Sequence, residues 1–185
     1  MVAGLGGFED DPTLIRRTFG RFPSGDAVLA IERGGEKHAF VASSFMVGVS
    51  MEPCLVAVAV QSTSMTWGQM KDAASIGVSI FGKGQGELTR KLASRDRATR
   101  FEQVAVEVDD SGAVFIEGAA VWLRCSVHQV IDAGDHQLAL LQVDQGGVSD
   151  NEPLIWHGSR FRELAEDDSI DITGVLRMPV AAWTP

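Results

Sequence analysis

The chain contains no tyrosine, and only two cysteines and four histidines among its 185 residues. The missing phenol excludes every mechanism built on a tyrosine acid. Cys54 and Cys125 each fall inside an apolar run, which predicts two buried thiols, no disulfide framework and a reducing, cytoplasmic setting. His38, His128, His136 and His157 show no helical i, i+4 pairing, and His128 is expected on the opposite strand face from Cys125, so no metal site is expected. Basic residues are outnumbered, 16 against 25 acidic ones, for a net charge of −9 and a pI near 4.8. Nucleic acid and anionic membrane surfaces both need a basic face, so small molecules are the better partner class. No apolar run approaches membrane-spanning length. The opening stretch through Gly7 lacks a basic region and turns acidic at Glu9, Asp10 and Asp11, which argues against a secretion signal.

What is present is 45% hydrophobic residues in a chain of single-domain length, enough for a sizeable core. Asp11-Pro12-Thr13 followed by Leu14, Ile15, Thr18 and Phe19 predicts a capped amphipathic helix that stops at Pro23-Ser24-Gly25. Strands are expected over 27–31 and 38–45 around a Gly34-Gly35 hairpin. Further strands are expected over 54–60, uniformly apolar and therefore central, and over 76–81, 119–131, 137–143 and 154–156. Short helices are expected after Ser62-Thr63-Ser64-Met65-Thr66 and over 86–94, with Leu88 and Leu92 facing inward. Residues 95–111 read as polar and mixed. Strands outnumber helices and pair by hairpins, which points to an antiparallel barrel, mainly β, with helices flanking it. A solvated acidic tail is expected from Glu166, Asp167, Asp168 and Asp171 to the apolar end around Trp183.

Gly134-Asp135-His136 lies between two strand-like runs and so in a hairpin turn. Glycine tolerates positive φ there, Asp135 can bond the turn backbone, and His136 starts the returning strand, aimed by a stiff scaffold. On these residues alone a structural turn histidine is the simpler reading, and the rest of the chain reverses it. Ser62, Thr63, Ser64 and Thr66 place four hydroxyls around a helix start, where capping needs only one, so both a cap and a phosphate site stand. Ser43-Ser44 at a strand end could meet a polar ring edge. Gly82-Lys83-Gly84-Gln85-Gly86 is a flexible turn, since Glu87 replaces the third glycine of a dinucleotide fingerprint. Arg160-Phe161-Arg162 offers a cation and an aromatic face, or an ordinary chain edge. No Ser-His-Asp order supports hydrolase chemistry.

Taken in order, these segments resemble the flavin reductase family with the FMN-binding split β-barrel, the reductase components that supply reduced flavin to monooxygenases. The resemblance is carried by Phe19-Gly-Arg-Phe-Pro-Ser-Gly25, Ala42-Ser-Ser-Phe45, residues 53–60, Ser62 to Trp67, Gly118 to Cys125, Gly134-Asp-His136, and Pro153-Leu-Ile-Trp through Phe161. It implies a split-barrel domain over residues 13–164, an N-terminal arm over 1–12 and a tail over 165–185. It implies that Val41, Ala42, Ser43 and Ser44 line the isoalloxazine ring, with Phe40, Ala59 and Gln61 as further flavin-binding positions. Ser62, Ser64 and Thr66 would hold the flavin phosphate, assisted by Lys91 or Arg90. His136, with Arg160 and Phe161 near it, would contact the nicotinamide nucleotide. The implied cofactors are FMN or FAD, with NADH or NADPH as donor, in a site built between two protomers of a homodimer.

The chain departs from the family pattern where Leu141-Gln142-Val143 replaces a strand closing in Gly-Glu-Val, where Ser79 replaces a common asparagine, and where Asp26 replaces an apolar residue. These changes bear on substrate preference more than on fold, because Ser79 and Gln142 keep hydrogen-bonding capacity. Direct hydride transfer asks the protein only to stack two rings and to stabilise charge at the flavin edge, which explains the lack of a conspicuous acid–base pair. The alternatives are a ferric-chelate or quinone reductase, and an electron carrier with tightly bound FMN.

Overall fold

The computed structural model describes residues 18, 19, 21 and 23–164. The N-terminal arm, most of the amphipathic helix expected from Asp11, and the acidic tail lie outside the described residues. Twelve strands and two helices follow one another in it: β1 (Ser24–Gly25), β2 (Ala27–Arg33), β3 (Glu36–Ala42), β4 (Met46–Met51), β5 (Cys54–Gln61), α1 (Met65–Met70), β6 (Ile76–Ile80), α2 (Gly86–Leu92), β7 (Val106–Val108), β8 (Val114–Ile116), β9 (Val121–Ala133), β10 (His136–Val148), β11 (Ile155–His157) and β12 (Arg160–Arg162). Seven strands form one sheet in the order β3-β2-β6-β9-β10-β5-β4; β1, β11 and β12 form a second, and β7 and β8 a third. Every pairing is antiparallel. The protein is therefore mainly β with few helices. Among the described residues no ladder joins the edge strands β3 and β4 into a closed barrel.

The large sheet carries a core on each face, which explains its sequence. β2 is an unbroken apolar run because Ala27, Leu29 and Ile31 face one cluster while Val28 and Ala30 face the other. Trp67 and Met70 of α1 cover the first face beside Val56, Val58, Ile76 and Leu141. Leu92 of α2 covers the second with Phe81, Val114, Ile116 and Leu154, and Leu88 packs against it, as expected. β6 alternates accordingly. Ile76 and Val78 join the first cluster, while Gly77 and Ser79 meet β8 on the other side. The backbone of β8 crosses so close that a β-carbon on Gly77 would lie 2.2 Å from the Val114 carbonyl oxygen. Ser79 is fully buried and its hydroxyl accepts from the Ile116 N–H at 3.0 Å, so this residue holds β8 to the sheet.

Several expectations need correction. Cys54 is exposed, not buried, because it begins β5 right after the Glu52-Pro53 turn, whereas Cys125 is buried and burial pushes its thiol up to about 12, with Asp144 and Cys54 adding to the rise. Both thiols are free. β5 is an interior strand but lies next to the edge, since β4, which has no alternating pattern to announce it, pairs along its outer side. Within the stretch expected to be polar and mixed, residues 106–108 form β7, and Arg160-Phe161-Arg162 is a strand paired with β11.

Asp26 sits between β1 and β2, only 5% exposed, and among the described residues no cation or donor meets its carboxyl group. Desolvation raises its pKa from the ordinary 3.8 to about 6. The folded state thus binds this proton more tightly than the unfolded chain, so its contribution to stability is complete below pH 3.8 and lost as pH rises through about 6. Asp26→Asn is expected to raise stability at pH 8 by about 1–2 kcal/mol, less than a full conversion of the shift because solvent screens part of it. Denaturant titrations of both proteins at pH 4 and pH 8 check this, the gain being confined to the higher pH.

Candidate functional site

A cleft of about 300 Å³ opens where the end of β3, the end of β5 and the start of β10 converge. Phe40, Val41 and Ala42 of β3 form one wall and lead into Ser43 and Ser44. Ala59, Val60 and Gln61 of β5 form the opposite wall, with Ser64 and His136 closing the end. No lysine, arginine or carboxylate lines it.

Ladder register brings these residues together. β5 runs between β4 and β10, and its last residue Gln61 pairs with His136, which in turn pairs with Ala133 across the Gly134-Asp135 turn. Gly134 has φ +66° and Asp135 does not share the positive φ, the pattern of a two-residue type II′ hairpin. The Ser62 N–H donates to the Asp135 carbonyl at 3.1 Å, tying this turn to the loop before α1. On the other wall the Ser44 hydroxyl donates to the Ala59 carbonyl at 3.2 Å and accepts from the Ala59 N–H at 3.3 Å. Ser44 thus replaces a rung of ladder and pins the chain between β3 and β4 against β5.

His136 is held from one side. Its Nδ1 lies 2.7 Å from Asp135 Oδ1, and a carboxylate can only accept, so Nδ1 carries the proton and Nε2 is left for a ligand. The Asp135 side chain therefore bonds the imidazole, a role its position in a turn did not announce. Its carboxyl stays below the ordinary carboxylate range, first through this hydrogen bond and then through the charge on the ring.

Ser64 is the N-cap of α1, its hydroxyl accepting from the Trp67 N–H at 3.2 Å. Ser62 is exposed beside the cleft, and Thr66 is buried within α1 at 8% exposure. The remaining candidates lie elsewhere in the chain. Lys91 belongs to α2, across the sheet from α1, where its Nζ donates to the Glu102 carbonyl. Phe161 packs into the second core, 4.9 Å from Trp156 between ring centroids, with the Arg90 guanidinium 5.3 Å from its ring. Arg160 is exposed at the start of β12, opposite His157. The fold therefore unites Phe40 to Ser44, Ala59, Gln61, Ser64 and His136, and keeps Lys91, Arg160 and Phe161 apart from them within one chain. Val60 also lines the cleft, a position that the residues on either side of it in β5 already pointed to.

Ser43, Gln61 and His136 Nε2 offer hydrogen-bonding groups that no other described residue engages, set around a neutral slot walled by Phe40, Val41 and Ala59. Fold and cleft together define a small antiparallel β protein suited to a planar ligand with a polar edge, and the donor set fits an isoalloxazine ring. Residues 19–165 match the flavin reductase like domain, and the chain belongs to that family. It is 30% identical over 157 residues to a flavin reductase of Pseudomonas putida, covering 84% of this chain and 91% of the relative. The fold is similar to that of the NADH:FAD oxidoreductase of Streptomyces globisporus, solved with NAD and FAD fragments, with a TM-score of 0.83, 30% identity, and 90% of this chain and all of the other covered. The reductase component of a flavin-dependent trigonelline monooxygenase from Acinetobacter baylyi is 30% identical over 131 residues, 70% of this chain and 42% of its own length.

Proposed function

We propose that the protein is an NAD(P)H-dependent flavin reductase that binds FMN or FAD in the cleft between β3 and β5 and delivers reduced flavin to a partner monooxygenase. The observation that carries this is the convergence of Phe40–Ser44, Ala59–Gln61 and His136 on one neutral slot in a chain of the flavin reductase family. The open sheet is read as part of a split barrel, with residues 13–164 as the reductase domain. Its exposed edge strand β4, where Met46, Val47 and Met51 are 53%, 67% and 56% exposed, supports a homodimer, since such an edge invites a second chain. Arg160, Phe161 and Lys91 then belong to the cleft of the second protomer. The exposed free thiol of Cys54 is in keeping with a cytoplasmic setting, and no described helix is long and apolar enough to cross a membrane.

The bound pair supplies hydride transfer from nicotinamide to flavin. The chain's own part is to hold the flavin ring between Val41 and Ala59, to present Ser43 and Gln61 to its polar edge, and to place His136 Nε2 toward the nicotinamide side. Ser44 keeps the slot open by fixing the loop, and Asp135 keeps the imidazole oriented.

Purified protein is expected to bind FMN or FAD and to consume NADH at a rate that rises with added free flavin. A flavoprotein electron carrier would retain FMN without this dependence, and absence of any flavin binding would overturn the reading. Ser64→Ala combined with Thr66→Ala is expected to weaken FMN about five- to tenfold through lost hydrogen bonds to the phosphate, and to leave riboflavin unmoved. Equal weakening of both ligands in the same titration would reduce this segment to a helix cap.

A further inference from the structure

A second groove, of about 700 Å³, is lined by chain neighbours of the cleft residues. Ser64 lines the cleft and Met65 the groove, while Phe40 and His38, two residues apart on one face of β3, line cleft and groove in turn. Arg33 stands in the groove with its guanidinium donating to the Gln69 carbonyl at 3.1 Å. Arg97 faces it from the loop after α2, its Nη2 lying 3.9 Å from the Met65 sulfur, and no carboxylate among the described residues pairs with it. Arg100 lies outside the groove lining, its Nε donating to the Ser94 carbonyl at 2.7 Å and its Nη1 to the Ala39 carbonyl, and burial and then the charge of Arg97 lower its pKa. Glu36 is the acidic residue on the groove wall. Gly68 of α1 opens onto the same space, since a β-carbon there would meet nothing within 4 Å.

An anion joined to a planar ring matches these walls. Arg97 offers charge for a phosphate, and its guanidinium plane, the Met65 thioether and the His38 ring offer faces for a purine. We propose that this groove holds the AMP half of FAD, extended from the flavin phosphate past Ser64, and that Arg97 is the residue by which the protein prefers FAD to FMN. The proposal rests on the reading that the adjoining cleft binds flavin. It adds a specificity that the cleft alone does not contain, because the cleft residues meet only the part common to both flavins.

The test is a titration of wild type, Arg97→Ala and Gly68→Leu with FMN and with FAD, with the KM for NADH measured at saturating FMN. Wild type is expected to bind FAD more tightly. Arg97→Ala should weaken FAD about five- to tenfold and FMN less than about twofold, as loss of one charge-assisted contact implies. Gly68→Leu fills the groove from an exposed helix position and should repeat that pattern with the fold intact, while Arg97→Lys restores part of the FAD affinity. Equal losses for FMN and FAD, or an unmoved FAD affinity, would overturn the proposal. So would a raised KM for NADH with FAD unchanged, which would give the groove to the ADP half of the nicotinamide nucleotide. Flavin binding of wild type is read separately through FMN: failure there removes both readings, whereas FMN binding with no preference for FAD removes this one alone.

Discussion

Gly77→Ala is expected to lose about 3 kcal/mol or more of stability, a large part of the 5–15 kcal/mol typical of a domain. The added methyl would lie 2.2 Å from the Val114 oxygen, 2.7 Å from its carbonyl carbon and 2.8 Å from its nitrogen. All three are backbone atoms, so no rotamer change relieves the overlap, and β8 must move away from β6. That movement also breaks the hydrogen bond from the Ile116 N–H to Ser79 Oγ, leaving a buried hydroxyl and a buried amide without partners. Gly68→Ala is the control, because it enters open space on a helix and should gain about 0.5–1 kcal/mol from propensity alone. Denaturant unfolding followed by tryptophan fluorescence separates them. A Gly77→Ala midpoint equal to that of wild type would show that β8 does not lie against β6 in solution.

That close approach marks the limit of what the sequence discloses. Strand periodicity located β2, β3, β5, β6, β9 and β10 because each buries one or both faces, and burial leaves an apolar record in the chain. It said nothing of β4, whose Met46, Val47 and Met51 stay exposed, and it wrongly buried Cys54, whose apolar neighbours are buried while it caps a turn. The pattern within a strand does not name its neighbour. β5 and β10 lie far apart in the chain, and the pairing of Gln61 with His136 follows from the whole strand order. The candidate site was legible where it is local, in Val41 to Ser44 and in the turn before His136, since strand ends and tight turns carry their own signals. The position of Phe161 was not, because an aromatic in a short strand looks the same whether it meets a ligand or packs on Trp156. Asp26 and Ser79 stood out as departures from the family pattern, and the structure gives both a place in the packing of the sheet.

His136→Ala is expected to lower kcat/KM for NADH by about ten- to a hundredfold, equivalent to roughly 1.4–2.7 kcal/mol of transition-state stabilisation, with flavin affinity nearly unchanged. The ring is half-buried at the mouth of the cleft and belongs to neither core cluster, so its removal leaves the two apolar faces of the sheet intact. What it removes is Nε2, the nitrogen left to a ligand once Nδ1 is bound to Asp135. Asp135→Asn distinguishes positioning from contact. An asparagine oxygen still accepts from Nδ1 but carries no charge, so the ring keeps its orientation and loses part of the restraint, and a smaller loss is expected than for His136→Ala. The effect should fall on KM for NADH or on kcat and not on the flavin titration, because the proposed flavin contacts, Ser43, Gln61 and the strand walls, are untouched by the substitution. A structural turn histidine gives the opposite pattern, with a lower melting temperature and normal kinetics per folded molecule. Steady-state kinetics, flavin titration and melting on one preparation separate the two, and unaltered kinetics with a lowered melting point would return His136 to the scaffold.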